Sequence, residues 1–406
     1  MKFTLTIPSV QLPRAPSITL FSHSPSVTLF SHSPKMRVPF LSMLLQPRPL
    51  KKWTLIWALC FYLAFCMGCF FEFEQPRLDK ETYIRFGADS PTYWEAVNYR
   101  SEHAENESLI SFTGNLLGPV MIGKVLRTGL AVAFFNIFLF FLAVEIACTI
   151  PGMDRYLLVF LLVICSETAP ALVTLNKEIL VLLSTIIFVK YIYSEKRSLL
   201  LLGVVLVVSL FARWEQIGVI LLFLFLRRKG SFFRRHPKAA IVSVIAFLTV
   251  AYTLIARLPG SGIGAFTQYT KGAHTIVKLN AIQANFGFPL VLAPKVIMDL
   301  MGELLRPWTF LAEFGYLGWG DIHSMIIIPL FSIALIILLV IAYRKGKLNP
   351  QRPLALLMII YMVMTAVTPF VQPRYNYFVY VLLCLELARK DGPEEDALTS
   401  SATAMA

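Results

Sequence analysis

Charge is scarce in this chain. Of 406 residues only 15% are charged, against 57% that are hydrophobic, whereas a soluble domain averages about 25% charged. That deficit excludes an ordinary water-facing surface and overrides the two or three soluble domains that length alone suggests. Cysteine is scarce too: Cys60, Cys66, Cys69, Cys148, Cys165 and Cys384 all fall in apolar runs. No metal-ligand spacing links them, and the CxxC of Cys66 and Cys69 has no βαβ surroundings, so they read as packing or lipid-facing residues without a redox role. Walker A, GxGxxG, GxSxG and HExxH motifs are missing in any supporting context, which argues against ATP-driven transport by this chain. No Arg/Lys stripe alternates with exposed aromatics, so nucleic acid is not an expected partner. Acidic residues are outnumbered 24 to 37, for a formal net charge of +13. In a membrane protein such an excess expresses the positive-inside bias and attraction to anionic lipid heads.

What is present is a series of long apolar runs. Trp53–Phe71 follows Arg48, Lys51 and Lys52, and basic flanks place that end in the cytoplasm. Gly129–Ile150 returns, leaving a polar outer loop at 72–128. Three later stretches, Tyr156–Tyr193, Ser198–Leu226 and Pro353–Lys390, are too long for one crossing of about 20 residues and short for two. Each has a polar cluster near its middle: TLNKE at 174–178, RWEQ at 213–216 and QPRYN at 372–376. Read as a single helix, the second stretch would hold Arg213 and Glu215 at mid-bilayer and export the basic loop 227–238. A helical hairpin keeps both basic flanks inside and raises the polar cluster outward. With Ala239–Ala256 and Ser324–Tyr343, the expectation is an all-α polytopic transmembrane bundle of about ten spans. Both termini are then cytoplasmic, and 257–323 forms a second outer loop with interfacial helix. Residues 1–35 contain a nine-residue tandem repeat, PSITLFSHS then PSVTLFSHS. They read as disordered, or as upstream of a start at Met36 or Met43. The 391–406 tail reads as disordered, and 36–390 as the membrane domain.

The vertices Lys177/Glu178, Arg213/Glu215 and Arg374/Tyr375 emerge on the side of the 72–128 loop. Ionisable groups in membrane segments are functional candidates, with structural ion pairing as the competing role. Within the loop, FGADSPTYWEAVNYR (86–100) sets Asp89 before a helix-like stretch. Asp-Ser-Pro is a helix-start signature, so Asp89 is either an N-cap or an acid with lone pairs left for a substrate. Outer-side cations are numerous, which suits a lipid-linked phosphate or diphosphate. Lys271, Lys278 and Lys295 read instead as snorkelling residues at headgroups. Asp321 and His323 in GYLGWGDIH are loop-edge residues or an acid/base pair. The aromatics from Trp308 to Trp319 form an interfacial belt or stack on a sugar.

Three elements carry a family resemblance: the acid ahead of a tyrosine (Asp89 and Tyr93 in DSPTYW), the Asn176-Lys177-Glu178 vertex, and Pro373-Arg374-Tyr375 near the last span. Together these resemble the GT-C class of integral membrane glycosyltransferases, of the polyprenyl- or dolichyl-phosphate-sugar-dependent, mannosyltransferase-like kind, over about Trp53 to Lys390. The resemblance implies inverting sugar transfer from a lipid-phosphate donor to a glycan, lipid or protein acceptor on the non-cytoplasmic face. Asp89 would be the general base, and Lys177, Arg213 and Arg374 would contact phosphate or acceptor. Many members carry an adjacent Asp-Glu pair, whereas Ser90 follows Asp89 here, which leaves a divalent metal open. The chemistry agrees: a hydroxyl attacking an anomeric carbon needs a carboxylate to take its proton, and a departing phosphate needs cations. A polymerase or ligase with a lipid-diphosphate donor, or a flippase for an anionic lipid-linked glycan, are the alternative readings. The expected location is a bacterial inner membrane.

Overall fold

The computed structural model describes residues 52–78, 85–87, 89–102, 116–194, 198–256, 274–305, 321–368 and 372–390. The 1–35 repeat, Met36, Met43, Lys271, the aromatics from Trp308 to Trp319 and the 391–406 tail lie outside them. Among the described residues every regular element is helical, and one isolated bridge, Met153 with Arg389, is the only β pairing. The chain is all-α.

Among the described residues, four helices are long and apolar enough to cross a membrane: Ile56–Glu74, Gly129–Cys148, Pro237–Leu254 and His323–Arg344. The first comprises α1 (Lys52–Cys69) and a π-helical turn, Phe70–Glu74, that runs on into Gln75–Leu78. The wide turn has a local cause. Pro76 has no N–H for the carbonyl of Glu72, and its ring crowds that carbonyl. The same device recurs where the π turn His323–Ile327 precedes Pro329. The stretch expected as a loop at 72–128 holds two helices of its own, α2 (Ser90–Glu102) and α3 (Leu117–Leu126). Next, α4 (Gly129–Cys148) starts on Thr128, whose hydroxyl accepts from Ala131 N at 3.2 Å.

The three long stretches are interrupted at their polar clusters. The first is α5 (Arg155–Val163), α6 (Thr168–Val173) and, after the TLNK turn, α7 (Glu178–Tyr193). The second is α8 (Leu199–Ala212) and α9 (Trp214–Leu226), separated by Arg213 alone in extended conformation (φ −152°, ψ 110°). After α10 (Pro237–Ala256), α11 (His274–Phe286), α12 (Pro289–Met301) and α13 (Ile328–Arg344), the third is α14 (Pro353–Val367), a 3-10 turn at Pro373–Asn376, and α15 (Tyr377–Ala388).

The third stretch folds back with its two ends in contact, both ends of the first meet the end of the third, and the second meets the third at Arg227. Asp154 N donates to Ala388 O (2.8 Å), the Arg389 guanidinium lies 4.0 Å over the Tyr193 ring, and Arg227 donates to Gln351 O (3.1 Å). Arg352 Nε binds Glu386 Oε1 at 2.6 Å, while Lys347 Nζ donates to the carbonyls of Glu386 and Arg389. These contacts gather both ends of the first and third stretches and the Arg227 end of the second at one basic end, away from the polar clusters at 174–178, 213–216 and 372–376. At the centre, α7 and α15 are buried almost all round, as expected of helices that are apolar on every face. In contrast, α10 leaves Val242, Phe247, Val250 and Leu254 exposed.

Lys295 corrects one expectation. It does not snorkel: its side chain is fully buried on α12, bound to Gln283 Oε1 and to Thr368 O (3.0 Å). Lys278, read in the same way, is exposed.

Candidate functional site

At the vertex end, the segment ahead of α2 runs against the first hairpin. A Cβ at Gly87 would lie 2.5 Å from Thr174 Oγ1, so only glycine permits this approach. Pro91 needs no N–H in the first turn of α2, and Tyr93 N donates to Asp89 O at 3.0 Å. The main chain of Asp89 thus starts the helix while its carboxylate is free to turn elsewhere. Beneath it, Tyr93, Trp94 and Val97 pack with Val120, Val132 and Leu175, fixing α2 against α3 and the TLNK turn.

That turn is held by its own polar side chains. Asn176 Nδ2 donates to Pro170 O (3.0 Å) and to Thr174 Oγ1 (2.9 Å), and Asn176 Oδ1 accepts from Glu178 N (3.0 Å). Asn136 on α4 donates to Thr174 O at 2.9 Å. An asparagine at the helix start satisfies an orphan N–H, and the result presents Lys177 toward Asp89.

The carboxylate of Asp89 joins residues 285 positions apart. Oδ1 pairs with Arg374 Nη1 at 2.9 Å. Oδ2 lies 3.8 Å from Lys177 Nζ and accepts from the Tyr93 hydroxyl at 3.2 Å. Arg374 Nε donates to Gln372 Oε1 (2.7 Å), and Tyr361 supports the turn by donating to Tyr375 O (3.1 Å). The Tyr375 ring has the guanidinium of Arg213 at 5.0 Å and that of Arg374 at 5.4 Å, within cation–π range. Arg213 in turn pairs with Glu178 Oε1 at 3.3 Å.

Three cations and two carboxylates thus share the cluster, an excess of one positive charge when all are ionised. The cations are almost wholly buried, but the Asp89 side chain keeps 26% of its surface exposed, so the acid faces the opening. Burial by itself pushes the Asp89 carboxyl up. The adjacent charges of Arg374 and then Lys177 outweigh it and hold the group down at about 2.

Of the residues singled out by sequence, the structure gathers Asp89, Tyr93, Lys177, Glu178, Arg213, Arg374 and Tyr375. Glu215 is exposed on the first turn of α9. Asp321 and His323 belong to a separate polar group. Asp321 Oδ1 accepts from Ser324 N (3.0 Å) and Oδ2 pairs with Arg85 (3.5 Å). His323 Nε2 lies 3.1 Å from the buried Glu167, while its backbone N donates to Arg85 O (2.9 Å). These two tie the entry to the 85–89 segment onto the start of α13. Glu167, Gln372 and Tyr361 were missed by sequence. An acid inside an otherwise apolar run was the available signal for Glu167.

Beside this second group runs an apolar groove of about 680 Å³ between α1, the break after α5 and the start of α13. Tyr62, Phe65, Phe73, Phe86, Ile326 and Leu330 line it. Phe86 stacks on Phe73 with centroids 5.6 Å apart, so the groove ends three residues before Asp89 in the chain. Among the described residues, no cluster of three or more His, Cys, Asp or Glu is arranged to hold a metal ion. No protein-family model, curated protein or solved structure matches this chain.

Proposed function

We propose that the protein is a membrane glycosyltransferase that moves a sugar from a polyprenyl-phosphate donor to an acceptor hydroxyl, with Asp89 as general base. The observation that carries this reading is the Asp89 carboxylate held between Arg374 and Lys177 at the mouth of a cluster with net positive charge. Those cations are an anion site in waiting: guanidinium and ammonium groups neutralise phosphate, and a phosphate arriving on them competes with Asp89 for the same protons. Once their charge is met by the donor, the carboxylate is released from its strongest partners and its proton affinity rises. It then takes the proton of the attacking hydroxyl, while Arg374, Lys177 and Arg213 stabilise the phosphate that leaves. The loss of a phosphate leaving group requires no second carboxylate as general acid. The apolar groove, lined in part by Phe86 three positions before Asp89, supplies a place for the hydrocarbon part of such a donor.

Ten crossings accompany this reading: the four long helices and two legs from each hairpin. The basic residues at the hairpin feet support placing that end in the cytoplasm, which puts Asp89 on the outer face of the membrane. The deciding experiment offers purified protein a panel of polyprenyl-phosphate sugars. Asp89→Asn is expected to lower kcat by roughly 10²–10⁴-fold, the usual worth of a general base. Arg374→Ala is expected chiefly to raise KM for the donor. Undiminished turnover by Asp89→Asn sinks the catalytic assignment. Transfer that requires a lipid diphosphate instead points to a polymerase or ligase.

A further inference from the structure

The end opposite Asp89 carries a second concavity, about 440 Å³ in volume, between the foot of α10 and residues 349–351. One wall is built by the sequence SFFRRHPKA. Ser231 Oγ accepts from Phe233 N (3.2 Å), starting the single turn Phe232–Arg235, and His236 N closes it on Phe232 O (3.1 Å). The Phe232 and His236 rings lie 4.5 Å apart, which fixes the imidazole. Arg235, His236 and Lys238 line the pocket and are exposed to whatever enters it. The facing wall is also fixed, since Gln351 N donates to Asn349 Oδ1 (3.0 Å) and Gln351 O accepts from Arg227 (3.1 Å). Among the described residues, no carboxylate lines the cavity.

A pocket with basic side chains and no acid suits an anion, and the helix that leaves the pocket identifies its source. Ala239 lines the pocket, and positions 242, 246, 250 and 254 continue from it at i+3 and i+4 spacing, which is one face of a helix. Those positions are Val242, Ala246, Val250 and Leu254, all exposed. From Ala239 to Leu254 this apolar stripe runs about 22 Å at 1.5 Å per residue. One leaflet of a hydrocarbon core is about half of 30 Å deep. The stripe is longer than one leaflet, so a basic pocket opening directly onto it can seat a headgroup while its acyl chains stay on the helix for their whole depth, which a soluble anion would not use.

We propose that the 235–239 pocket binds the phosphate of an anionic phospholipid whose acyl chains lie along the exposed stripe of α10. Such a site requires membrane placement of α10 and is independent of any chemistry at Asp89.

The test uses the full-length protein in phosphatidylcholine nanodiscs doped with phosphatidylglycerol, with extraction and native mass spectrometry of the lipid retained. Wild type is expected to keep phosphatidylglycerol in preference to phosphatidylcholine. Arg235→Gln/Lys238→Gln is expected to weaken that retention about thirtyfold, as loss of two basic groups at a membrane surface should. Arg228→Gln/Lys229→Gln removes the same charge from exposed positions outside the pocket and is expected to leave retention unchanged. Equal loss in both variants would reduce the effect to general surface charge and overturn the site. So would retention untouched by the first variant. A third arm titrates inorganic phosphate: if it displaces phosphatidylglycerol at low millimolar concentration, the ligand is a soluble anion and the lipid assignment falls.

Discussion

Asp89 gains two cations and a phenol on folding, and these partners set its contribution to stability. Its carboxyl is held at about 2, below an ordinary value of 3.8, so the folded state binds this proton less readily than the unfolded chain does. The contribution is therefore fully present above pH 4 and is lost as pH falls from about 4 towards 2, amounting to about 2 kcal/mol. Thermal unfolding in detergent should show that acid-side decline in wild type, and Asp89→Asn should lack that component. A second residue-scale prediction concerns Lys295, buried on α12 and bound to Gln283 Oε1 and Thr368 O. Lys295→Met strips Gln283 Oε1 and Thr368 O of their donor and should cost about 1–3 kcal/mol for each group left unsatisfied. A double-mutant cycle with Gln283→Met measures how much of that cost belongs to the Lys295–Gln283 contact. The sequence placed Lys295 at the headgroups because composition shows that a lysine is near lipid, not which neighbours surround it. Asp89 was legible in part: its Ser-Pro context marked the helix start, but whether its carboxylate would cap that helix or turn to other partners depended on neighbours distant in sequence. Its partner Arg374 was legible as a charge in an apolar stretch, but no local pattern links positions so far apart.

At the scale of elements, the hairpins were readable because length and polarity agreed. Each stretch exceeded one crossing, and each carried its charges where a turn would fall. The form of each break was not readable. One hairpin turns on a single extended residue, another on an asparagine-stapled loop, the third on a 3-10 turn; all three suit the same composition, and only packing chooses between them. The third turn is gripped from outside. Asn376 Nδ2 donates to Asp299 O (3.0 Å), Gln283 donates to Val367 O (2.9 Å), and Gly302, at φ +50°, faces Pro373. A Cβ at Gly302 would come within 2.5 Å of Pro373 Cγ. Gly302→Ala should therefore destabilise the protein by about 1–3 kcal/mol and displace Arg374, read out as weaker protection of Arg374 from an arginine-selective reagent. The same substitution at Gly203, where a Cβ meets nothing within 4 Å, should leave that protection intact and slightly stabilise α8.

At the largest scale, the described residues from Lys52 onward carry a polar cluster around Asp89 and a separate basic end that acts as a clamp. Arg352 and Glu386 are buried there, with Lys347 holding two carbonyls at the close of α15. Removing one partner of a buried pair strands the other, so Arg352→Met should cost about 3–5 kcal/mol. Because the feet of separate hairpins meet at this point, the loss should appear as one cooperative unfolding step at lower temperature, without an early local transition. The membrane class and the helical architecture were visible from composition and segment length. The convergence of three vertices on one acid was suggested by their common side. The distances that make it a cluster came only from packing.

The ion pair between Asp89 and Arg374 also imposes an order on biosynthesis. Its members are 285 residues apart, and at about 5–20 residues per second the ribosome takes roughly 15–60 s to travel from one to the other. For that interval the nascent loop carries an acid whose strongest partner has not been made. Lys177 emerges earlier and supplies an interim counter-charge, but the constellation closes only when the final hairpin folds into place. Nascent chains stalled before Arg374 should therefore carry an Asp89 that titrates nearer to an ordinary aspartate, and the last hairpin acts as the latch that completes the site.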